Sequence, residues 1–149
     1  GKLAKFLIKK KAINIHMGIS PHFRGTDSNF WAIYKRKYQY VGATIHLLSN
    51  GLDDGKILYH ALSQPSKNPF LYTMLTVKSA IDSLSKLIKN KKIHKYKPVI
   101  QDKSLMINYS RKKDFNSNLI KNFREYSIPK FTHNKNEFVR PSILKHSFK

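Results

Sequence analysis

Two hydrophobic periods run along this chain, and the switches between them mark its elements. Residues 2 to 9 place Leu3, Phe6 and Leu7 at helical spacing with lysines between, as in the last turns of a helix. The β-prone run Ala12-Ile13-Asn14-Ile15-His16 follows at once, so a helix feeds a strand as in the second half of a βαβ unit. Ser20 to Gly25 has the Pro and Gly of a loop, and Thr26 or Asp27 is placed to cap the next helix. That helix carries the stripe Phe30, Trp31, Ile33 and Tyr34. Lys35-Arg36-Lys37 falls in its last turn, where cations suit the carbonyl end of the dipole. Val41 to Leu48 and Lys56 to Leu62 read as strands joined across Asn50-Gly51 and Asp53-Asp54-Gly55, which predicts a hairpin. From Phe70 to Ile88 apolar residues recur at helical spacing, the longest such run in the chain. A polar stretch, a weaker helical pattern over 116–126 and a Pro-interrupted segment over 127–149 complete the sequence. The last segment reads as an irregular basic tail. The fold class is therefore α/β.

Composition narrows the class. With 149 residues and 40% apolar positions, the chain has material for the core of one domain. No apolar run approaches the roughly 18 residues that span a bilayer. There is no cysteine, hence no disulfide framework and no thiolate chemistry. Nothing near residue 1 reads as a signal peptide, so a cytoplasmic setting without membrane contact is the default expectation.

The formal charge of +21 points first to nucleic acid, but its distribution weakens that reading. Residues 1–12 carry +5, residues 13–66 only +2, and residues 67–149 carry +14. Of 29 basic residues only 5 are Arg, the side chain preferred for bidentate recognition of bases and phosphates. A solvated basic surface is the preferred reading over a patch for an anionic partner.

Candidate chemistry sits in the near-neutral segment. Asn14 and His16 are two apart on a predicted strand, so both side chains emerge on one face, while Ile13 and Ile15 take the other. A strand end opening onto a Pro/Gly loop is where α/β folds place ligands. Asp53, in Gly51-Leu52-Asp53-Asp54-Gly55, occupies a turn rich enough in Gly for close approach of a ligand. An Asn to hold an oxyanion, a His to donate a proton or charge and an Asp to orient the His would suit attack on a carbonyl carbon. Taken singly, each feature also has an ordinary explanation: a satisfied polar pair on a strand, and common turn chemistry. His46 reads as a buried, hydrogen-bonded histidine. No metal-ligand spacing, Gly-rich phosphate loop or nucleophile elbow is present.

In order along the chain, four segments change those odds. Ile13-Asn14-Ile15-His16-Met17-Gly18-Ile19-Ser20-Pro21-His22-Phe23-Arg24-Gly25, Asn29-Phe30-Trp31-Ala32-Ile33, Val41 to Leu48 and Gly51 to Leu58 together resemble the folate-dependent formyltransferase family. The resemblance covers about residues 12 to 63, continues faintly through the long helix, and returns at Asn108 to Phe115. It implies a Rossmann-like formyltransferase fold and places the family's catalytic asparagine, histidine and aspartate on Asn14, His16 and Asp53. It also implies that an acceptor amine attacks the formyl carbon of 10-formyltetrahydrofolate, with no metal. Asn14 and a protonated His16 would stabilise the oxyanion, while Asp53 holds His16 and assists proton transfer. Leu48, Ser49, Asn50, Gly51, Leu52 and Asp53 would line the pterin pocket. Two features depart from the family pattern: the loop Met-Gly-Ile-Ser-Pro after His16, and Asp54 where a small or hydroxyl residue is usual.

The resemblance further implies that the family's leading βα units are missing. The expectation is a C-terminal half of a catalytic domain over 1–95, a C-terminal extension over 96–126 and an irregular tail over 127–149. Such a fragment could be inactive alone. Its expected partner is a small-molecule amine, an amino sugar in preference to a tRNA, because the tRNA enzymes carry a further β-barrel domain. Methionyl-tRNA formyltransferase-like activity, a non-catalytic basic RNA-binding protein and a decayed fragment are the alternatives.

Overall fold

In the computed structural model, which describes residues 1–145, the opening helix forms as α1 (Lys2–Lys9) and the run after it as β1 (Ile13–His16). None of the α1 residues is buried. β3 (Ala43–Leu47) and β4 (Ile57–Ser63) form the expected antiparallel hairpin, with a bulge at Ile45/His46. β1 pairs antiparallel with β3, opposing Asn14 to His46 and His16 to Thr44. The main sheet runs β1-β3-β4-β6, the last being Ser142–Leu144, with β1 at one edge.

Alternation along these strands sorts the side chains by chemistry. Ile13, Ile15, Ala43, Ile45, Tyr59 and Ala61 share one face and pack with Ala80, Leu84 and Leu87 of α3 (Pro69–Lys89). Full burial of an Ile such as Ile45 contributes about 1.5–3 kcal/mol, and the half-buried Ile13, Ile15, Leu84 and Leu87 contribute less each. The opposite face carries Asn14, His16, Thr44, His46 and His60. α3 starts as the pattern predicts, with Pro69 in its first turn and the Asn68 side chain accepting from the Leu71 N–H at 2.9 Å. Its buried residues include Tyr72, Leu75, Thr76, Ser79 and Ala80, whereas Phe70, Ile81 and Ile88 remain exposed, so only part of the apolar stripe faces the sheet.

Three expectations are corrected. The segment Ser20–Gly25 is not all loop: β2 (Phe23–Gly25) pairs in parallel with β5 (Asn108–Ser110), drawn from the polar stretch after α3. Before α2 (Ser28–Tyr34), Asp27 does occupy the N-cap position, but its left-handed backbone (φ 55°) is accompanied by no side-chain cap, and Lys35-Arg36-Lys37 lies beyond the helix. The segment 127–149 is not an irregular tail throughout. After α4 (Ser117–Arg124), Ile128 and Phe138 enter the core, and β6 (Ser142–Leu144) extends the main sheet in parallel with β4. Residues 146–149 of that segment lie outside the described residues. No described helix is long and apolar enough to cross a membrane.

Candidate active site

Cross-strand register and one turn bring the predicted residues together. Asn14 and His16 project from β1 onto the polar face, and the β3–β4 connection returns Asp53 to the same place in the left-handed conformation (φ 50°). His16 Nδ1 lies 3.1 Å from Asp53 Oδ2, and Nε2 lies 3.2 Å from the Phe23 carbonyl oxygen. Both ring nitrogens therefore face acceptors, and a ring with two N–H donors satisfies both. His16 is 6% exposed and Asp53 14%. The hydrogen bond from His16 holds the Asp53 carboxyl well below the usual carboxylate range, against the desolvation that opposes it.

His46 is part of this cluster. Its Nδ1–H donates to the Leu47 carbonyl at 2.9 Å, which leaves Nε2 of the neutral ring as an acceptor for Asn14 Nδ2 at 3.1 Å. That fixes the amide orientation. The second Asn14 N–H donates to Asp53 Oδ1 at 3.3 Å. His46 Nε2 itself stands 3.8 Å from Asp53 Oδ1, too far for a hydrogen bond, so His16 is the closer partner of the carboxylate. The donors of Asn14 and His16 all point at protein acceptors: His46 Nε2 and Asp53 Oδ1 for Asn14, Asp53 Oδ2 and the Phe23 carbonyl for His16.

The turn is anchored from outside. Arg24 Nη2 donates to the Leu52 carbonyl at 2.6 Å, and Gln101 Nε2 donates to the carbonyls of Asp53 and Gly55. Ser49 Oγ bonds the Asp54 carboxylate, which also lies 3.7 Å from Lys103 Nζ. Of the residues expected to line a pterin pocket, Leu48 and Ser49 are half-buried, Asn50 and Gly51 are exposed, and Leu52 presents its side chain to solvent beside Asp53. A cavity of about 340 Å³ opens next to His16, walled by Met17, Phe30, Met74 and Val77, with Asp27, Asn29 and Thr73 as polar lining. Among the described residues no cluster has the donors of a metal site.

Known proteins share this architecture. Residues 5–65 match the family model described as Formyl transferase. A methionyl-tRNA formyltransferase of Gloeothece citriformis is 30% identical over 117 residues, covering 69% of this chain and 35% of that protein. A sugar N-formyltransferase from a Shewanella species superposes with a TM-score of 0.58 at 27% identity, over 70% of this chain and 42% of its own. A 4-N formyltransferase from Francisella tularensis gives 0.61 at 26%, over 74% and 45%.

The chain is similar to the formyl transferase family over residues 5–65. It spans about a third of the curated relative and less than half of these two structures. A third formyl transferase structure, PseJ from Anoxybacillus kamchatkensis in complex with UDP-4,6-dideoxy-4-formamido-L-AltNAc and tetrahydrofolate, is 25% identical with a TM-score of 0.57 over 75% of this chain and 58% of its own. The family match ends at residue 65, short of Gln101. Sequence reading singled out Asn14, His16 and Asp53, which the fold brings together, but it left His46 as a generic buried histidine and passed over Gln101. His46 had a usable signal: in the predicted strand it shares the parity of Thr44, on the face opposite Ile45. Gln101 had none, because the polar stretch around it has no periodicity.

Proposed function

We propose that this chain contributes the catalytic centre of an enzyme that transfers a formyl group from 10-formyltetrahydrofolate to a small-molecule amine, with an amino sugar as the preferred acceptor. The observation that carries the reading is the convergence of Asn14, His16 and Asp53 on one buried polar face. The folate supplies an activated formyl carbon. As the acceptor nitrogen bonds to that carbon, negative charge grows on the formyl oxygen. Preorganised donors there are typically worth a factor of 10² to 10³ in rate. His16 offers Nε2 by releasing the Phe23 carbonyl, and Asn14 offers one N–H by releasing Asp53 while its other stays on His46. Asp53, held ionised, keeps the His16 ring in place. One proton leaves the acceptor nitrogen, and one is gained by the folate nitrogen whose bond to the formyl carbon breaks.

The residues around the centre fit such substrates. The turn over residues 48–53 offers a backbone ledge and the exposed Leu52 to a flat ring, and the cavity beside His16 combines apolar walls with few polar groups. The sugar N-formyltransferase likenesses, and the sugar nucleotide and tetrahydrofolate in the PseJ complex, support an amino-sugar acceptor and a folate donor. A second reading, formylation of methionyl-tRNA, is favoured by the relative at 30% identity. In the natural full-length protein, tetrahydrofolate release is measured with a panel of amino sugars and with charged initiator tRNA. His16→Ala, Asn14→Ala and Asp53→Ala are each expected to lower the rate at least ~100-fold. Unchanged turnover in any of the three sinks the assignment of that residue.

A further inference from the structure

The carboxylate that orients His16 sits on a turn with no regular secondary structure of its own. Asp53 takes a left-handed backbone conformation (φ 50°), which Asp adopts more readily than most side chains. Two groups from outside the turn bind its backbone. Arg24 reaches the Leu52 carbonyl, and Gln101, 48 residues beyond Asp53, places one amide nitrogen 2.9 Å from the Asp53 carbonyl and 2.8 Å from that of Gly55. The second bond spans Asp54, so the amide bridges both ends of the segment that carries the carboxylate.

Gln101 is itself well anchored. It is 7% exposed, and two residues before it Val99 forms an antiparallel bridge with Ile57, with N···O distances of 2.7 and 2.8 Å. The strap therefore runs from the first residue of β4 to the turn just before it. Two carbonyl partners also fix which way the amide faces, since a flipped Gln101 would set its oxygen against both.

We propose that Gln101 is a positioning residue of the formyl-transfer centre, clamping the Asp53–Gly55 backbone so that the Asp53 carboxylate meets His16. The proposal rests on the function above only for its catalytic consequence. It makes the stretch after α3 part of the active centre. Asp53 is faced by His16 from β1, by His46 from β3 and by the Asn14 amide, while the neighbouring Asp54 pairs with Lys103 and Ser49. Loss of the clamp should therefore be read at the Asp53 carboxyl.

Gln101→Met keeps length and bulk but donates nothing, and Gln101→Asn keeps the amide on an arm one methylene shorter. In the 149-residue chain, carbon NMR of the Asp53 carboxyl is followed against pH. Both variants are expected to titrate closer to an ordinary aspartate than the parent does, while thermal midpoints stay within a few degrees. In the full-length enzyme, kcat should fall at least tenfold with the acceptor KM within twofold, and Gln101→Met should add nothing on an Asp53→Ala background. An unmoved Asp53 titration in both variants overturns the proposal, whether or not stability changes. If Gln101→Met does not fold, the Gln101→Asn titration decides alone. A shifted titration in a protein whose parent transfers no formyl group leaves the clamp standing and removes the proposed function instead.

Discussion

Under the proposed formyl transfer, His46 bears on the reaction through a single hydrogen bond. With Nδ1–H committed to Leu47, its Nε2 keeps one hydrogen of the Asn14 amide, so the other has a defined direction when it leaves Asp53. His46→Leu removes that acceptor and frees the amide to rotate. Formyl transfer in the full-length protein should drop at least ~10-fold, with folate affinity retained, because an oriented donor is lost while the turn is intact. Equal rates in His46→Leu and the parent would show that Asn14 needs no such guide. His60, further along the same face, sets a different pH limit. Burial pushes its imidazole down to about 4, partly offset by the Ser20 carbonyl beside Nε2. The unfolded chain takes up that proton near the ordinary histidine value of about 6.5. Between these values the unfolded state binds more protons, so stability present above about pH 6.5 is lost as pH falls towards 4, at up to ~1.4 kcal/mol per pH unit. Asp53 acts in a lower window: its depressed carboxyl contributes stability that is lost only as pH drops below the ordinary aspartate range. The urea midpoint should thus decline from pH 7 to 4.5, and a flat profile there would mean that His60 becomes protonated without opening the fold.

Among the elements, β6 and the segment leading to it show how much the sequence concealed. Val139 N–H donates to His60 Nδ1 at 3.0 Å, and Phe138, 7% exposed, packs with Ile19 and Leu62. Phe138→Ala should cost about 3 kcal/mol in urea unfolding, as large-to-small changes in a core do. A loss below ~0.5 kcal/mol would return the segment to the irregular tail that its pattern predicts. The reason it was not legible is physical. Three residues of parallel edge strand have too few side chains to show a period, and Phe138 becomes core only through contacts with Ile19 and Leu62, far earlier in the chain. β2 and β5 escaped for the same reason, each being three residues long and paired across 85 positions. Gly25 marks that pairing: its φ is 90°, and a Cβ there would lie 1.9 Å from the Ser110 carbonyl oxygen. By contrast α3, the β3–β4 hairpin and the face shared by Asn14 and His16 were legible, because local periodicity alone determines them. What periodicity cannot supply is the cross-strand partner, and so the pairing of Asn14 with His46 emerges only from register.

For the molecule as a whole, +21 charges on 149 residues act on the folded state as mutual repulsion. Few are neutralised locally: among the described residues the Lys–carboxylate pairs are Lys78–Asp82 and Lys103–Asp54. Neither lies in the Lys-rich α1 segment. The cluster around His16 contributes no positive surplus of its own, since its ionisable groups are His16, His46 and Asp53. Charge and chemistry are thus separable, and salt separates them. Raising NaCl from 20 to 300 mM shortens the Debye length from roughly 20 Å to below 6 Å, so repulsion between surface lysines fades while the buried His16–Asp53 contact is barely screened. The thermal midpoint is expected to rise by several degrees, and Asp53 is expected to keep its depressed titration throughout. The same surplus should bind RNA loosely at low salt, with affinity falling steeply as counterions compete, and His16→Ala and Asp53→Ala should follow the parent curve at every salt concentration. RNA retention that persists at 300 mM and disappears in Asp53→Ala would contradict this separation and move the acceptor from a small amine towards a nucleic acid.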